Sequence, residues 1–296
     1  NKLNYPYGTG RSYSLIGVCY QHVGEFDSGL VYNLRALKIF EKLSIQKGIA
    51  STLNNIALIY SHKGLNDSAL QLFFKSLKIS EALNDKYYIQ IDYSNISGIY
   101  FKKALYDQSI EYALKALNIA TELSDSIEIA DNLITISNVY ANRENKTKND
   151  INKANDYLFT ALKIADKINN KPLMIRCLDG IASIFFEQLN YDKSIAFYQK
   201  ALDISKILND KPNIEIFLNN ISASYFEKKD YSKSLQYATE TYNLSKELED
   251  KRMMIAALIN MANCYEFTNQ LNKSIVQEKL LIRALLRSYR LRRRKS

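Results

Sequence analysis

Residues 51–83 read STLNNIALIYSHKGLNDSALQLFFKSLKISEAL, and this stretch decides the fold. Apolar residues follow helical spacing before and after the polar break SHKGLND at 61–67. We expect Gly64 to end the first helix and Asp67 to cap the second. The stretch therefore predicts a helix–turn–helix hairpin, whose two apolar faces need neighbouring units to cover them.

The hairpin repeats along the chain. An aromatic residue recurs at spacings of 40, 40, 40, 45, 40 and 40 residues, and a leucine or isoleucine ladder has the same steps. The ladder aromatics are Tyr20, Tyr60, Tyr100, Tyr140, Phe185, Tyr225 and Tyr265. The second ladder consists of Leu3, Leu43, Leu83, Leu123, Ile168, Leu208 and Leu248. Such a period predicts an all-α array of stacked hairpins rather than a catalytic domain.

The junctions between hairpins also repeat. They read LNDK, LSDS, INNKP, LNDKP and LEDK, beginning at residues 83, 123, 168, 208 and 248. We expect the Asp or Asn in each junction to cap the next helix. Pro172 and Pro212 are expected in a first helical turn, where proline is tolerated.

Small and aromatic residues alternate within a hairpin in an order that resembles the tetratricopeptide repeat. Repeat two carries this order as Ala57, Tyr60, Ala69, Phe73 and Ser76, and repeat five as Ala182, Phe185, Ser194, Tyr198 and Ala201. The 40-residue period is similar to the long-helix subtype of kinesin light chains and of bacterial sensor and regulator proteins. The resemblance implies a right-handed superhelical α-solenoid of about seven helix–turn–helix repeats over residues 1–281, with 282–296 as a basic tail outside the register.

Three places depart from the period. Repeat four holds five extra residues in ANRENKTKND (141–150), which we interpret as a longer surface turn or as a partner contact. Residues 1–4 align with the end of a second helix, so we expect the chain to be a piece of a longer protein. Residues 277–296 carry +7 of the net charge of +9. This segment is read as a solvated or non-native tail, or as a contact for nucleic acid or an anionic membrane.

The rest of the composition narrows the class of protein. The sequence contains no run of about 18 apolar residues, so it predicts no membrane span. The three cysteines, Cys19, Cys177 and Cys264, have long spacings and no CxxC, which argues against a disulfide framework or a zinc site. Cys19 and Cys264 directly precede ladder aromatics, and we expect both to be buried core residues.

The sequence contains no catalytic constellation, so we predict no enzyme activity, catalytic residue, cofactor or metal site. YGTGRS at 7–12 lacks phosphate-loop spacing, and its Gly8 pairs with Gly48 as a repeat feature. His22 and His62 each follow a ladder aromatic by two residues. They are read as polar residues that line a groove, with metal or carboxylate binding as the alternative.

The resemblance implies that the first helix of each repeat lines a concave groove for peptides. Asparagine recurs on that helix at register positions two, five and six residues before the ladder aromatic. These residues are Asn54, Asn55, Asn95, Asn138, Asn219, Asn220, Asn260 and Asn263. Since an amide both donates and accepts, such a row could grip a peptide backbone, although a solvated groove in an Asn-rich chain remains the alternative.

Charged positions of the expected groove differ between the two halves of the chain. The N-terminal half has Arg11, His22, His62 and Lys102, whereas the C-terminal half has Asp179, Glu187, Glu227 and Glu266, with Arg176 as an exception. We hypothesise a bipolar groove that orients its ligand by charge.

The sequence therefore predicts a non-catalytic scaffold that binds a protein or peptide. By resemblance, it belongs to a bacterial signalling or regulatory protein of the sensor histidine kinase or transcriptional regulator type. A Rap-like receptor for a small signalling peptide is the alternative, and an enzyme is a remote one. The expected location is cytoplasmic, with an extracytoplasmic sensor segment as the alternative.

Overall fold

The computed structural model describes residues 5–268, which form thirteen α-helices and no strand. The helices are α1 Pro6–His22, α2 Phe26–Lys42, α3 Gln46–His62, α4 Asn66–Ala82, α5 Lys86–Lys102, α6 Tyr106–Glu122, α7 Ser126–Asn142, α8 Lys148–Lys167, α9 Lys171–Glu187, α10 Tyr191–Ile207, α11 Lys211–Glu227, α12 Tyr231–Glu247 and α13 Lys251–Phe267. The all-α class and the repeated helix–turn–helix arrangement are confirmed. The expectations for Leu3, for residues 269–281 and for the tail at 282–296 lie outside the described residues.

The chain divides after Ile164 into two compact units. In the first unit, each helix from α1 to α7 packs against the next, and the odd-numbered helices α1, α3, α5 and α7 also contact one another in turn. In the second unit, α9 to α13 pack consecutively, and α11 contacts α13. We call the odd-numbered helices first helices and the even-numbered ones second helices. Neighbouring first helices therefore share a surface within each unit.

The turn inside a hairpin follows from a residue with positive φ. Gly64 has φ +77°, and the Leu65 N–H donates to the Tyr60 carbonyl at 2.8 Å. This bond satisfies a carbonyl that the end of α3 would otherwise leave unpaired, so the prediction for Gly64 is confirmed. The prediction that Asp67 caps α4 is wrong, because the N-cap is Leu65 and Asp67 forms an exposed ion pair with Lys103.

The junctions between hairpins carry the predicted caps. Asp85, Asp125, Asn170, Asp210 and Asp250 each accept hydrogen bonds from backbone N–H groups of the helix that follows. Pro172 and Pro212 lie in the first turns of α9 and α11, as expected. The start of a first helix is therefore encoded locally.

Five of the ladder aromatics stack on a ring of the second helix in their own hairpin. Tyr100 is half-buried and stacks on Tyr112 of α6, with ring centroids 5.5 Å apart. Equivalent stacks join Tyr20 to Tyr32, Tyr140 to Tyr157, Phe185 to Phe197 and Tyr225 to Tyr237. In these five repeats the aromatic period therefore marks a ring pair between the two helices, whereas Leu72 stands at the partner position of Tyr60.

The insertion in repeat four lengthens both a turn and a helix. The turn before α8 runs over residues 143–147, and α8 has 20 residues where the other helices have 17. Thr147 and Asp150 exchange hydrogen bonds between side chain and backbone, which makes a capping box at the start of α8. The longer surface turn predicted from the sequence is therefore present, and it comes with an extended helix.

The cysteines follow the repeat register with one exception. Cys177 and Cys264 are buried, but Cys19 is exposed, so the expectation that Cys19 lies in the core is wrong. Cys264, which like Cys19 directly precedes a ladder aromatic, packs on the preceding second helix, where it contacts Ser234 of α12. The described residues contain no second helix before α1, and the Cys19 thiol is open to solvent.

Candidate functional site

The asparagines five residues before the ladder aromatics lie on the surface that neighbouring first helices share. Asn55 and Asn95 belong to the first unit, and Asn220 and Asn260 belong to the second. All four are half-buried, so each amide is partly accessible from outside the helix. We call these four residues the amide row.

Three members of the amide row also join neighbouring repeats through side-chain hydrogen bonds. Asn95 Nδ2 donates to Asn54 Oδ1 at 3.2 Å, and Asn260 Nδ2 donates to Asn219 Oδ1 at 3.0 Å. Asn55 Nδ2 donates to Ser14 Oγ at 3.3 Å. Each bond joins residues 41 positions apart on adjacent first helices, and we call these bonds rungs. A rung contributes about 0.5–1.5 kcal/mol net, as ordinary intramolecular hydrogen bonds do.

Asn54 does not have the accessible position expected for a groove residue. It is only 6% exposed, its Nδ2 donates to Asp92 Oδ1 at 2.8 Å, and its Oδ1 accepts from Asn95. The correction has a simple cause: a residue six positions before the aromatic faces the next first helix, and here that helix supplies a buried carboxyl. Asn54 therefore holds the Asn95 side chain in place through this hydrogen bond.

The remaining predicted asparagines differ in exposure. Asn138 is exposed and Asn219 and Asn263 are half-buried. Asn138 and Asn263 occupy the same register position, two residues before their aromatics, in separate units. Both stand at accessible places on first helices, and their ligand-binding role stays a prediction.

The residues two positions after the ladder aromatics lie at the ends of first helices, next to the preceding hairpin. His62 stacks on Phe26 with ring centroids 5.0 Å apart, and Lys102 Nζ donates to Ser61 Oγ at 2.6 Å. Glu227 accepts a hydrogen bond from Tyr191, and burial together with this carboxylate raises the pKa of Tyr191. His22 and Glu187 are exposed at the equivalent positions. His62, Lys102 and Glu227 therefore make contacts between repeats.

The other charged positions of the hypothesis are unevenly accessible. Arg11 in the first unit and Arg176 and Glu266 in the second unit are exposed. Asp179 is half-buried, and burial raises the pKa of its carboxyl. The bipolar groove remains a prediction, and burial disfavours the ionised form of its member Asp179.

Sequence analysis missed a second set of hydrogen bonds, which joins polar residues 38 positions apart. Asn54 reaches Asp92 in this way, Ser94 Oγ donates to Asn132 Oδ1 at 2.9 Å, and Gln90 Nε2 donates to Glu128 Oε2 at 2.7 Å. A search for polar pairs at a spacing two short of the period would have found them. Buried Asp92 matters most for the amide row, because it bonds to Asn54, and Asn54 in turn bonds to Asn95 of that row.

The chemistry offered by these residues is hydrogen bonding. Within residues 5–268, no three His, Cys, Asp or Glu side chains cluster closely enough to hold a metal ion. No helix in the same range has the length and apolar content needed to cross a membrane. The amide row instead presents donors and acceptors in register on adjacent helices, which suits a repeating polar partner such as a peptide backbone.

Comparison with known families identifies the repeat. Two models described as tetratricopeptide repeat match residues 8–83 and 175–207. A search of curated protein sequences found no match. The first match runs from within α1 to the end of α4, and the second runs from within α9 to the end of α10.

Solved structures with this fold cover most of the chain. A STAND protein with a tetratricopeptide repeat sensor from Pyrococcus horikoshii aligns with TM-score 0.76 and 18% identity over 94% of this chain and 43% of its own. The apo form of the quorum sensor NprR from B. thuringiensis aligns with TM-score 0.70 and 16% identity over 95% of this chain and 77% of its own. A Rap protein complexed with competence and sporulation factor aligns with TM-score 0.65 and 16% identity over 93% of this chain and 74% of its own.

The 40-residue helix spacing, the two family-model matches and these shared folds agree. Residues 8–83 and 175–207 are therefore tetratricopeptide repeats, in a chain whose fold is that of a tetratricopeptide repeat array.

Proposed function

We propose that the protein is a non-catalytic scaffold that binds a protein or peptide along its first helices. The observation that carries this proposal is the amide row. Asn95 uses its Nδ2 in one rung, so its Oδ1 and a second N–H remain for a partner on a half-exposed surface. A peptide backbone, which offers an N–H and a carbonyl at every residue, complements such amides whatever its side chains are.

The fold comparison supports a binding role in signalling. One similar structure is a Rap protein in complex with competence and sporulation factor, and another is a quorum sensor. We therefore keep two forms of the proposal. In the first, the array is the sensing or scaffolding segment of a bacterial signalling or regulatory protein; in the second, it is a receptor for a small signalling peptide.

The test of peptide binding uses a displayed library of random linear peptides as the probe. The wild-type protein should enrich a set of peptides, and Asn95→Ala should weaken their binding about 2- to 10-fold, which corresponds to one hydrogen bond of about 0.5–1.5 kcal/mol. Asn118→Ala is the matched control, because Asn118 is an exposed helical asparagine of α6 that bonds only within its helix, to Glu122. Equal loss in both variants, or no enrichment by the wild type, would contradict the proposal.

The two forms of the proposal differ in what accompanies the array. A kinase or DNA-binding motif in the complete reading frame would favour the sensor or regulator form. Binding of short synthetic copies of the enriched peptides, with a compaction of the protein measured by small-angle scattering, would favour the receptor form. We propose a cytoplasmic location in either case, which cell fractionation with an antibody to this chain would check.

A further inference from the structure

Asp92 is a buried carboxyl that meets only neutral donors. It lies in α5 with 0% of its surface exposed; its Oδ1 accepts from Asn54 Nδ2 at 2.8 Å, and its Oδ2 accepts from Ser80 Oγ at 2.9 Å. From α4, Ser76 also faces it, and the Glu81 carboxylate is the charged group that acts on it. Burial, with a smaller contribution from Glu81, raises the pKa of Asp92. A carboxyl in such surroundings is held in place chiefly by its hydrogen bonds.

The ionised carboxylate determines how the next amide must turn. A carboxylate can only accept hydrogen bonds, so Asn54 has to present its Nδ2 to Asp92. The Oδ1 of Asn54 then points the other way, where it accepts from Asn95 Nδ2 at 3.2 Å. Asn95 in turn is left with its Oδ1 and a single N–H for the surface. The ionised carboxylate of Asp92 therefore sets the orientation of the Asn54 amide, which in turn sets that of the Asn95 amide at the surface.

We propose that Asp92 is a positioning residue that sets the donor and acceptor orientation of the Asn95 amide on the surface of the first helices. When Asp92 is ionised, Asn95 presents an acceptor to a ligand. When Asp92 carries a proton, its hydroxyl donates to Asn54 Oδ1, Asn54 turns over, and Asn95 accepts from Asn54 Nδ2. Asn95 then presents its two N–H groups. The value of this relay for ligand choice rests on the proposed binding function, but the relay itself does not.

The second unit contains the same rung without the buried carboxyl. Asn260 Nδ2 donates to Asn219 Oδ1 at 3.0 Å, across the same 41 positions. The register position of Asp92 is occupied there by Ala257, which is buried and offers no side-chain acceptor. Asn219 therefore has no carboxyl at the position that Asp92 occupies beside Asn54; the buried carboxyl of its own helix, Glu215, lies four residues earlier, and burial raises its pKa as well. This rung is an internal control in the same molecule.

The experiment observes the side-chain amides of the four asparagines by NMR, in protein labelled with ¹⁵N on asparagine. The resonances of Asn54, Asn95, Asn219 and Asn260 are assigned from single Asn→Ala variants. During a pH titration, Asn54 and Asn95 should shift together, with one midpoint above the usual range of an aspartate. Asn219 and Asn260 should not follow that midpoint. In Asp92→Asn, the common titration should disappear.

Two small probes test which group Asn95 presents. N-methylacetamide has an N–H and a carbonyl, whereas N,N-dimethylacetamide has the carbonyl alone. Above the midpoint, the Asn95 resonances should shift more with N-methylacetamide than with N,N-dimethylacetamide, because Oδ1 accepts the N–H. Below the midpoint, the two probes should act alike.

The outcomes separate the two proposals. If Asn54 titrates with Asp92 and Asn95 does not, or if Asn219 and Asn260 share the titration, the relay is wrong. This result stands in the wild-type protein, whatever the stability of Asp92→Asn. If Asn95 titrates as expected and the peptide library yields no binder, the proposed function is wrong and the relay holds.

Discussion

At the scale of single residues, close approach decides which side chain is tolerated. Gly17 of α1 lies against Asn33 of α2, and a Cβ at position 17 would stand 2.3 Å from Asn33 Nδ2. Asn33 is 0% exposed and donates to the Gly29 carbonyl at 2.9 Å, so it has no alternative place for its amide. Glycine at position 17 is therefore a packing requirement of the first hairpin.

We expect Gly17→Ala to lower the free energy of unfolding by about 1–3 kcal/mol, because the added methyl displaces a buried, hydrogen-bonded amide. Gly98→Ala is the matched control. Gly98 also lies inside a first helix, but apart from its chain neighbours and the nearby backbone of its own helix, no atom lies within 4 Å of an added Cβ. That change should raise stability by about 0.5–1 kcal/mol through helix propensity. Urea unfolding of both variants measures the pair, and a loss at both positions would contradict the steric explanation.

Asp92 should make stability depend on pH in a definite direction. Because burial raises its pKa in the folded protein, the folded state binds this proton more tightly than the unfolded chain does. The stabilisation is present below the unfolded-state pKa of about 3.9 and is lost as pH rises through the folded-state pKa. Urea unfolding over a pH series should therefore show wild type losing stability relative to Asp92→Asn across that window. Parallel curves would contradict the assignment.

At the scale of the helix, the two kinds of turn are built differently. First helices from α5 onwards begin with a side-chain cap at Asp85, Asp125, Asn170, Asp210 or Asp250. Among the second helices, α2, α4 and α6 begin without a side-chain cap, and an aspartate in the first turn pairs instead with a base 36 residues later. In α2, α4 and α6 aspartate therefore joins neighbouring repeats instead of capping the helix, whereas α10 and α12 are capped by Asn190 and Asp230.

We expect Asp125→Ala to lower the free energy of unfolding by about 0.5–2 kcal/mol, the usual cost of losing an N-cap. Asp125 Oδ1 accepts from the N–H groups of Ile127 and Glu128 at 3.1 and 3.2 Å. Asp67→Ala should cost less, about 0–1 kcal/mol, because it removes only an exposed ion pair with Lys103. Thermal unfolding in low and high salt separates them, since only the Asp67 effect should shrink with salt. The reverse order would contradict these roles.

At the scale of the whole molecule, the register of the repeats predicts which thiols solvent can reach. Cys177 is 0% exposed and Cys264 is 1% exposed, whereas Cys19 is exposed. Burial raises the pKa of the Cys264 thiol, which lowers its thiolate fraction as well as its accessibility. The three thiols therefore report on separate parts of the chain.

Ellman's reagent should react rapidly with one thiol per chain in the native protein. The other two should react only as fast as the repeats that bury them open. Cys19→Ser removes the rapid phase and is the control that assigns it. Two rapid thiols in the wild type would contradict the burial of Cys177 or Cys264.

Much of the fold could be predicted from the sequence because its signals are local. The caps at Asp85 and Asp125, the turn at Gly64 and the longer turn of repeat four depend on a few consecutive residues, and all were found. The cap predicted at Asp67 is wrong because an N-cap aspartate and an aspartate in the first turn look alike in sequence. The geometry of the preceding Leu65 decides between them.

The candidate site was harder to predict because its polar contacts join separate repeats. Register placed Asn95 on an accessible surface, but the burial of Asn54 depends on Asp92, which lies 38 residues away. The exposure of Cys19 was equally hard to predict, since it depends on whether a neighbouring helix covers the residue rather than on the sequence of its own helix. Binding by the amide row stays a prediction, because hydrogen bonds between repeats and contacts with a ligand place asparagine at the same positions.

The rungs have a consequence for modular engineering and for the way such arrays change by recombination. Each rung spans 41 residues while the period is 40, so no block of one period contains both of its ends. Transplanting residues 46–85, for example, would sever the rung from Asn55 to Ser14 and the rung from Asn95 to Asn54, and would separate Asn54 from Asp92. The smallest cassette that keeps a rung intact is a pair of adjacent hairpins.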